Sequence, residues 1–127
     1  MSRFITDLHA ELIDDIDNDY RGQWRLLQPL VYESDVAGIT VAAPAGFITD
    51  FESCPRLPLV FWMFGELVHE AAVIHDYLYT RPDLCSRETA DAVLKEACLL
   101  SGLPAWRAWG IWAGVRLGGE RHYGKSV

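Results

Sequence analysis

The chain has 127 residues, half of them apolar and 23% charged, which suits one packed domain over residues 1–127 and leaves too little chain for two. A net charge of -7 and a pI near 4.9 exclude a broad attraction to nucleic-acid phosphates, although Arg107, Arg116, Arg121, His122 and Lys125 gather toward the C-terminus. Three cysteines, Cys54, Cys85 and Cys98, without a CxxC spacing argue against a disulfide framework or a zinc knuckle.

Residues 3–13 alternate loosely around Phe4, Leu8 and Leu12, which predicts a strand or two before an acidic turn at 14–20. Asp14, Asp15, Asp17 and Asp19 in that turn invite a calcium-loop reading. The EF-hand spacing fails, because neither count places a Gly sixth and a Glu twelfth, so a solvated turn is expected. Residues 23–33 predict a strand pair or a bent strand around Pro29, and 38–43 a further strand of β-branched residues.

Pro44, Gly46 and Pro55 punctuate the next segment, in which Thr49, Asp50 and Ser53 fall close together. An Asp with a hydroxyl three residues on commonly closes a turn onto backbone amides. The same residues also suit a polar wall beside a site, with Asp50 as a cation ligand. Residues 57–64, LPLVFWMF, form the most apolar stretch. It is too short to cross a bilayer and is expected in the core, with a lipid-facing or partner-facing lip as the alternative. No apolar run reaches transmembrane length, and the N-terminal segment lacks the apolar centre of a signal peptide.

Two helices follow. Val68, Ala71, Ala72, His75, Leu78 and Tyr79 recur at three- and four-residue spacing, which puts His75 on a buried stripe. Pro82 ends that helix, Ser86 is a good N-cap for the next, and Ala90, Leu94, Ala97 and Cys98 continue the apolar period. The short loop between them predicts an antiparallel hairpin. His75 and Asp91 then stand level, each roughly 7 to 9 Å from the hairpin end at 1.5 Å per residue. An inward-pointing Asp91 would accept a hydrogen bond from the imidazole and fix its tautomer, as in a general base with its orienting acid. Asp76, turned about 100° around the helix, is a candidate ligand for calcium or another divalent cation.

The last helix is expected over 104–117, with Pro104 at its first position, Gly118 and Gly119 as its stop, and Trp106, Trp109 and Ala113 on one face. That face is expected to cover the hairpin as core, the alternative being a surface for a protein partner. Other chemistries fail on spacing. His69 and His75 are six apart, which turns them about 120° from each other and defeats a zinc-protease helix. A base deaminase needs CxxC, no GxxxxGK or GxGxxG loop occurs, and a Ser53-His75-Asp91 nucleophile triad lacks the GxSxG elbow.

The stretch HDYLY followed by RETADAVLKEA resembles the catalytic helix pair of the phospholipase A2 superfamily, over roughly thirty residues. The resemblance implies that His75 activates a water, Asp76 helps hold calcium, Asp91 orients His75 and Tyr79 is a hydrogen-bond partner. The glycine-rich calcium loop of that superfamily is missing. In its place stands GFITDFESCPRLP, which together with HDYLY and RETAD resembles small proteins of undetermined function encoded by bacteriophages and prophages. That resemblance implies viral origin, and the odd cysteine count without a CxxC spacing together with the N-terminal segment makes the host cytoplasm, or the virion, the expected location.

The expected fold is α+β, with N-terminal antiparallel strands packed against a C-terminal three-helix unit that contains the hairpin. The expected function is a phage-encoded hydrolase with His75 and Asp91 as catalytic residues. Tyr79, Ser53, Thr49 and Arg87 support them, and Asp76 with Asp50 is the candidate metal pair. The substrate stays open. The alternative is a non-enzymatic virion or assembly protein, or a binder of a host factor, that keeps the same residues as a buried polar network.

Overall fold

The computed structural model describes residues 2–14, 23–49 and 69–118. Asp50 and Ser53, the acidic turn beyond Asp14, the 57–64 stretch and the chain after 118 lie outside the described residues. Among the described residues six short strands come first, in two antiparallel three-stranded sheets. One sheet orders β1 (Arg3–Phe4), β4 (Leu30–Ser34) and β5 (Ile39–Ala43), and the other β2 (Ala10–Asp14), β3 (Gln23–Leu26) and β6 (Ile48–Thr49). Three helices follow among the described residues, α1 (His69–Tyr79), α2 (Arg87–Leu100) and α3 (Ala105–Gly118). The architecture is α+β, as the pattern of alternation followed by helical periods predicts.

Pro29 separates two strands that belong to different sheets, because β3 pairs with β2 and β6 while β4 pairs with β1 and β5. Thr6 bridges the break: its hydroxyl donates to the Pro29 carbonyl and accepts from the Val31 amide. In β4 the alternate residues Leu30, Tyr32 and Ser34 are buried, opposite Ala43, Val41 and Ile39 of β5. The period of two therefore turns one face of this sheet into the core.

α1 is the central element. From Ala71 to Asp76 every residue is buried, and so are Leu78 and Tyr79, because β4, β5 and β6 pack on one side and α2 on another. Ser86 caps α2 by accepting the Thr89 amide. The far end of α2 closes in a Schellman turn, with Leu103 N–H on the Cys98 carbonyl and Gly102 N–H on that of Leu99. Gly102 has φ of 100° there, a left-handed conformation that glycine takes without a Cβ clash.

The rotation of α3 corrects one expectation. Its buried residues are Ala108, Ile111 and Val115, whereas Trp106 and Trp109 are 60% and 58% exposed. The tryptophan face thus points away from α2 instead of covering it. Apolar residues occur all round this helix, so their spacing selects no face. Polar ties at its C-terminal end select one: Arg87 donates to the carbonyls of Val115 and Arg116, and the Arg116 guanidinium reaches Asp91. Among the described residues no helix is long and apolar enough to cross a membrane.

Candidate functional site

The hairpin brings His75 and Asp91 together as their level positions predict. His75 Nε2 lies 2.7 Å from Asp91 Oδ1, and both side chains have no solvent exposure. Tyr79, one turn after His75, donates its hydroxyl to the same Oδ1 at 2.5 Å, and its ring lies tilted against the imidazole at 4.2 Å between centroids. The i, i+4 spacing of His75 and Tyr79 on α1 is what aims both donors at one carboxylate. The second oxygen, Oδ2, accepts from Arg116 Nη1 at 2.9 Å.

These donors decide the charge state of the cluster. Burial raises the cost of charging Asp91, but the hydrogen bonds from His75, Tyr79 and Arg116 outweigh it and hold the carboxyl below its ordinary range. An ionised carboxylate only accepts, so Nε2 carries a ring proton, and in the tautomer this selects the ring lone pair lies on Nδ1. Burial, followed by the hydrogen bond to Asp91 and its negative charge, pushes the Tyr79 phenol well above the ordinary tyrosine range. Tyr79 therefore stays a donor throughout the physiological range.

Asp76 follows His75 on α1 and is also buried. Thr49, at the end of β6, donates its hydroxyl to Asp76 Oδ2. β6 is placed by its pairing with β3, Thr49 opposite Trp24, and by Phe47, whose ring meets Tyr77 of α1 edge-on at 5.3 Å. Among the described residues no three His, Cys, Asp or Glu side chains group as a metal would need. A calcium ion takes about six to eight oxygens. Asp76 and Thr49, hydrogen-bonded to each other, supply only two side chains toward such a shell, and Asp50 lies outside the described residues.

Arg87 supports the cluster at one remove. It holds the backbone of α3 through Val115 and Arg116, and its positive charge acts on Tyr79. Cys85, half-buried before α2, feels the Asp91 charge, and burial together with that charge raises its thiol. Arg116 is the member that sequence reasoning missed, having been read only as part of a basic C-terminal cluster. The available signal was the short α2–α3 connection, which sets Asp91 and Arg116 about 14 and 17 Å from the same turn, within one helical pitch of each other.

Residues 24–115 match the family described as protein of unknown function (DUF1353). The chain is a DUF1353 protein. No curated protein and no solved structure matches it. The DUF1353 span holds β4, β5, β6, α1 and α2, and with them His75, Asp76, Tyr79, Arg87 and Asp91. Arg116 stands one residue past it.

Proposed function

We propose that this DUF1353 protein is a hydrolase in which His75 takes a proton from an attacking water through Nδ1 while Asp91 holds the ring by Nε2. The observation that carries the reading is the 2.7 Å contact of Nε2 with a carboxylate that Tyr79 and Arg116 also hold. A base of this kind needs a fixed tautomer and a near-neutral affinity for protons, and an ionised, hydrogen-bonded acid supplies the first. The proton taken from water passes to the leaving group as the bond to it breaks. The helix pair suits the phospholipase-like reading, with ester or amide bonds as the substrate class. Asp76 with Asp50 is proposed to hold calcium or another divalent cation, whose role would be to polarise the substrate oxygen. The GFITDFESCPR, HDYLY and RETAD segments motivate a phage origin and action in the host cytoplasm or the virion.

The test is hydrolysis of ester and amide substrates by the purified protein, with calcium present and after chelation. The expected result is turnover that falls about 10²- to 10⁴-fold in His75→Asn and that depends on the cation in the native protein but not through its folding. Turnover unchanged in His75→Asn overturns the reading.

A second reading draws on burial. His75, Asp91 and Tyr79 are closed from solvent, and Trp106, Trp109 and Leu117 stand exposed on α3. A satisfied, sealed network under an apolar helix face fits a virion or assembly protein, or a host-factor binder, that uses the cluster for structure and α3 for contact. It is favoured if the native protein hydrolyses nothing while His75→Asn lowers its melting temperature.

A further inference from the structure

We infer that Arg116 is a positioning residue of the His75–Asp91 pair, so that the working unit spans three helices and not the two of the hairpin. Its catalytic consequence rests on the hydrolase reading, but the positioning itself is a property of the cluster and can be measured without turnover.

The argument begins with the carboxylate. His75 and Tyr79 both address Oδ1. Two donors on one oxygen locate that oxygen and leave the terminal torsion of an Asp side chain, which is intrinsically broad, without a second fixed point. Arg116 supplies it by holding Oδ2 at 2.9 Å. The carboxylate plane, and with it the direction in which Oδ1 presents its lone pairs to Nε2, is then set from both ends.

The guanidinium is itself held in place. Arg87 and Asp91 are four residues apart on α2 and so share a face. Arg87 Nη2 grips the carbonyls of Val115 at 2.9 Å and Arg116 at 2.7 Å, while Asp91 takes the guanidinium of the same residue 116. One helix therefore clasps Arg116 by its backbone and by its side-chain tip. A salt bridge that merely stapled α3 in place would need only one of these ties.

Access distinguishes Arg116 from its partners. Its side chain is 28% exposed and that of Asp91 0%, so it reaches the buried acid from the surface. Truncating it opens a path of guanidinium size to Oδ2, which makes chemical rescue feasible.

The experiment uses the full chain with ¹⁵N-labelled histidine, read at one fixed pH through the carbon-bound ring protons, with His75 assigned by its loss in His75→Gln. The ring-nitrogen shifts report which nitrogen carries the proton and how strongly it is bonded. In Arg116→Ala the Nε2 shift is expected to move toward that of an unconstrained imidazole and amide protection along the Asp91 turn to fall about tenfold. Millimolar guanidinium chloride, but not the same concentration of urea or sodium chloride, is expected to return the shift. Arg116→Lys, which keeps charge without the planar fork, is expected to be intermediate, and it replaces Arg116→Ala as the test should the alanine variant not fold.

Unchanged ring shifts in either folded variant overturn the proposal, as does a shift that moves but responds equally to urea and guanidinium. The two readings separate cleanly. Ring shifts that follow Arg116 in a protein without turnover leave the positioning standing and remove the hydrolase. Turnover that depends on His75 and ignores Arg116 does the reverse.

Discussion

Asp91 accepts three hydrogen bonds on two oxygens, and the unequal loading of those oxygens has a measurable consequence at Tyr79. Replacing Tyr79 by Phe removes one of the two donors on Oδ1 and leaves a ring of nearly the same shape, so the cost is that of one charge-assisted hydrogen bond partly offset by His75 remaining. Tyr79→Phe is expected to lower unfolding stability by about 1 to 2 kcal/mol, read by urea denaturation. A loss well under half of that would mean that the 2.5 Å contact contributes little. The same geometry keeps the phenol un-ionised: absorbance near the tyrosinate band should show Tyr79 and Tyr32 titrating only when the protein unfolds in alkali, since burial and a neighbouring carboxylate raise both. At this scale the sequence was informative wherever a residue's partner lay one helical turn or one hairpin away, as for His75, Tyr79 and Asp91. Arg116 was less visible because its partner sits 25 residues earlier in the chain, on the preceding helix, and a lone Arg near a helix end has a solvated default.

Two residues of α2 act as anchors in opposite directions. Asp91 faces α1 and α3, and Glu96, about one turn and a half later, faces the β4–β5 hairpin. Glu96 Oε1 accepts from Tyr32 at 2.7 Å and Ser34 at 2.9 Å, and Oε2 accepts the Val36 amide at 3.0 Å. Nothing in the local pattern of RETADAVLKEA marks this glutamate, because its partners are some sixty residues earlier and its own surroundings read as an exposed helix face. Glu96→Ala leaves the buried Tyr32 hydroxyl and the hairpin amide without this acceptor, and a loss of about 1 to 2 kcal/mol is expected. Hydrogen exchange should show the loosening in residues 34–38 and not in α3; uniform loosening would remove Glu96 as a local tie. The end of α2 offers a backbone counterpart. Gly102 has open space around the position of a Cβ, so Gly102→Ala carries the conformational cost alone, about 1 kcal/mol, and a cost of several would point to packing that the geometry lacks. The helix order and the Ser86 cap were legible because each depends on neighbouring residues. The rotation of α3 was not, since a helix apolar on every side carries no phase of its own and takes it from Arg87 and Arg116. Its outward tryptophans should make part of the fluorescence quenchable by acrylamide, and Trp106→Phe with Trp109→Phe should lower that quenchable fraction.

The molecule as a whole carries a net charge of -7, and its response to acid combines that surface charge with the buried cluster. Exposed pairs such as Arg3–Glu33 and Arg25–Glu11 contribute little and are screened by salt. Asp91 differs because its folded-state carboxyl lies below its ordinary value of 3.8. For a group depressed in this way the unfolded chain binds the proton more readily. Its contribution is therefore complete above the ordinary carboxylate range, declines as pH falls through it, and is gone below the folded-state value. Surface carboxylates titrate over the same range, so acid unfolding of the native protein alone does not isolate the effect. Asp91→Asn does, since it changes the surface charge hardly at all while removing the buried acid that joins α1, α2 and α3. At pH 7 the variant is expected to be less stable by about 2 to 3 kcal/mol, measured by urea denaturation. Between pH 5 and pH 3 the gap between native protein and variant is expected to narrow, with the native curve falling toward that of the variant. A gap that stays constant through this interval would mean that Asp91 is as easily protonated folded as unfolded, and the three donors around it would then not be holding a charge.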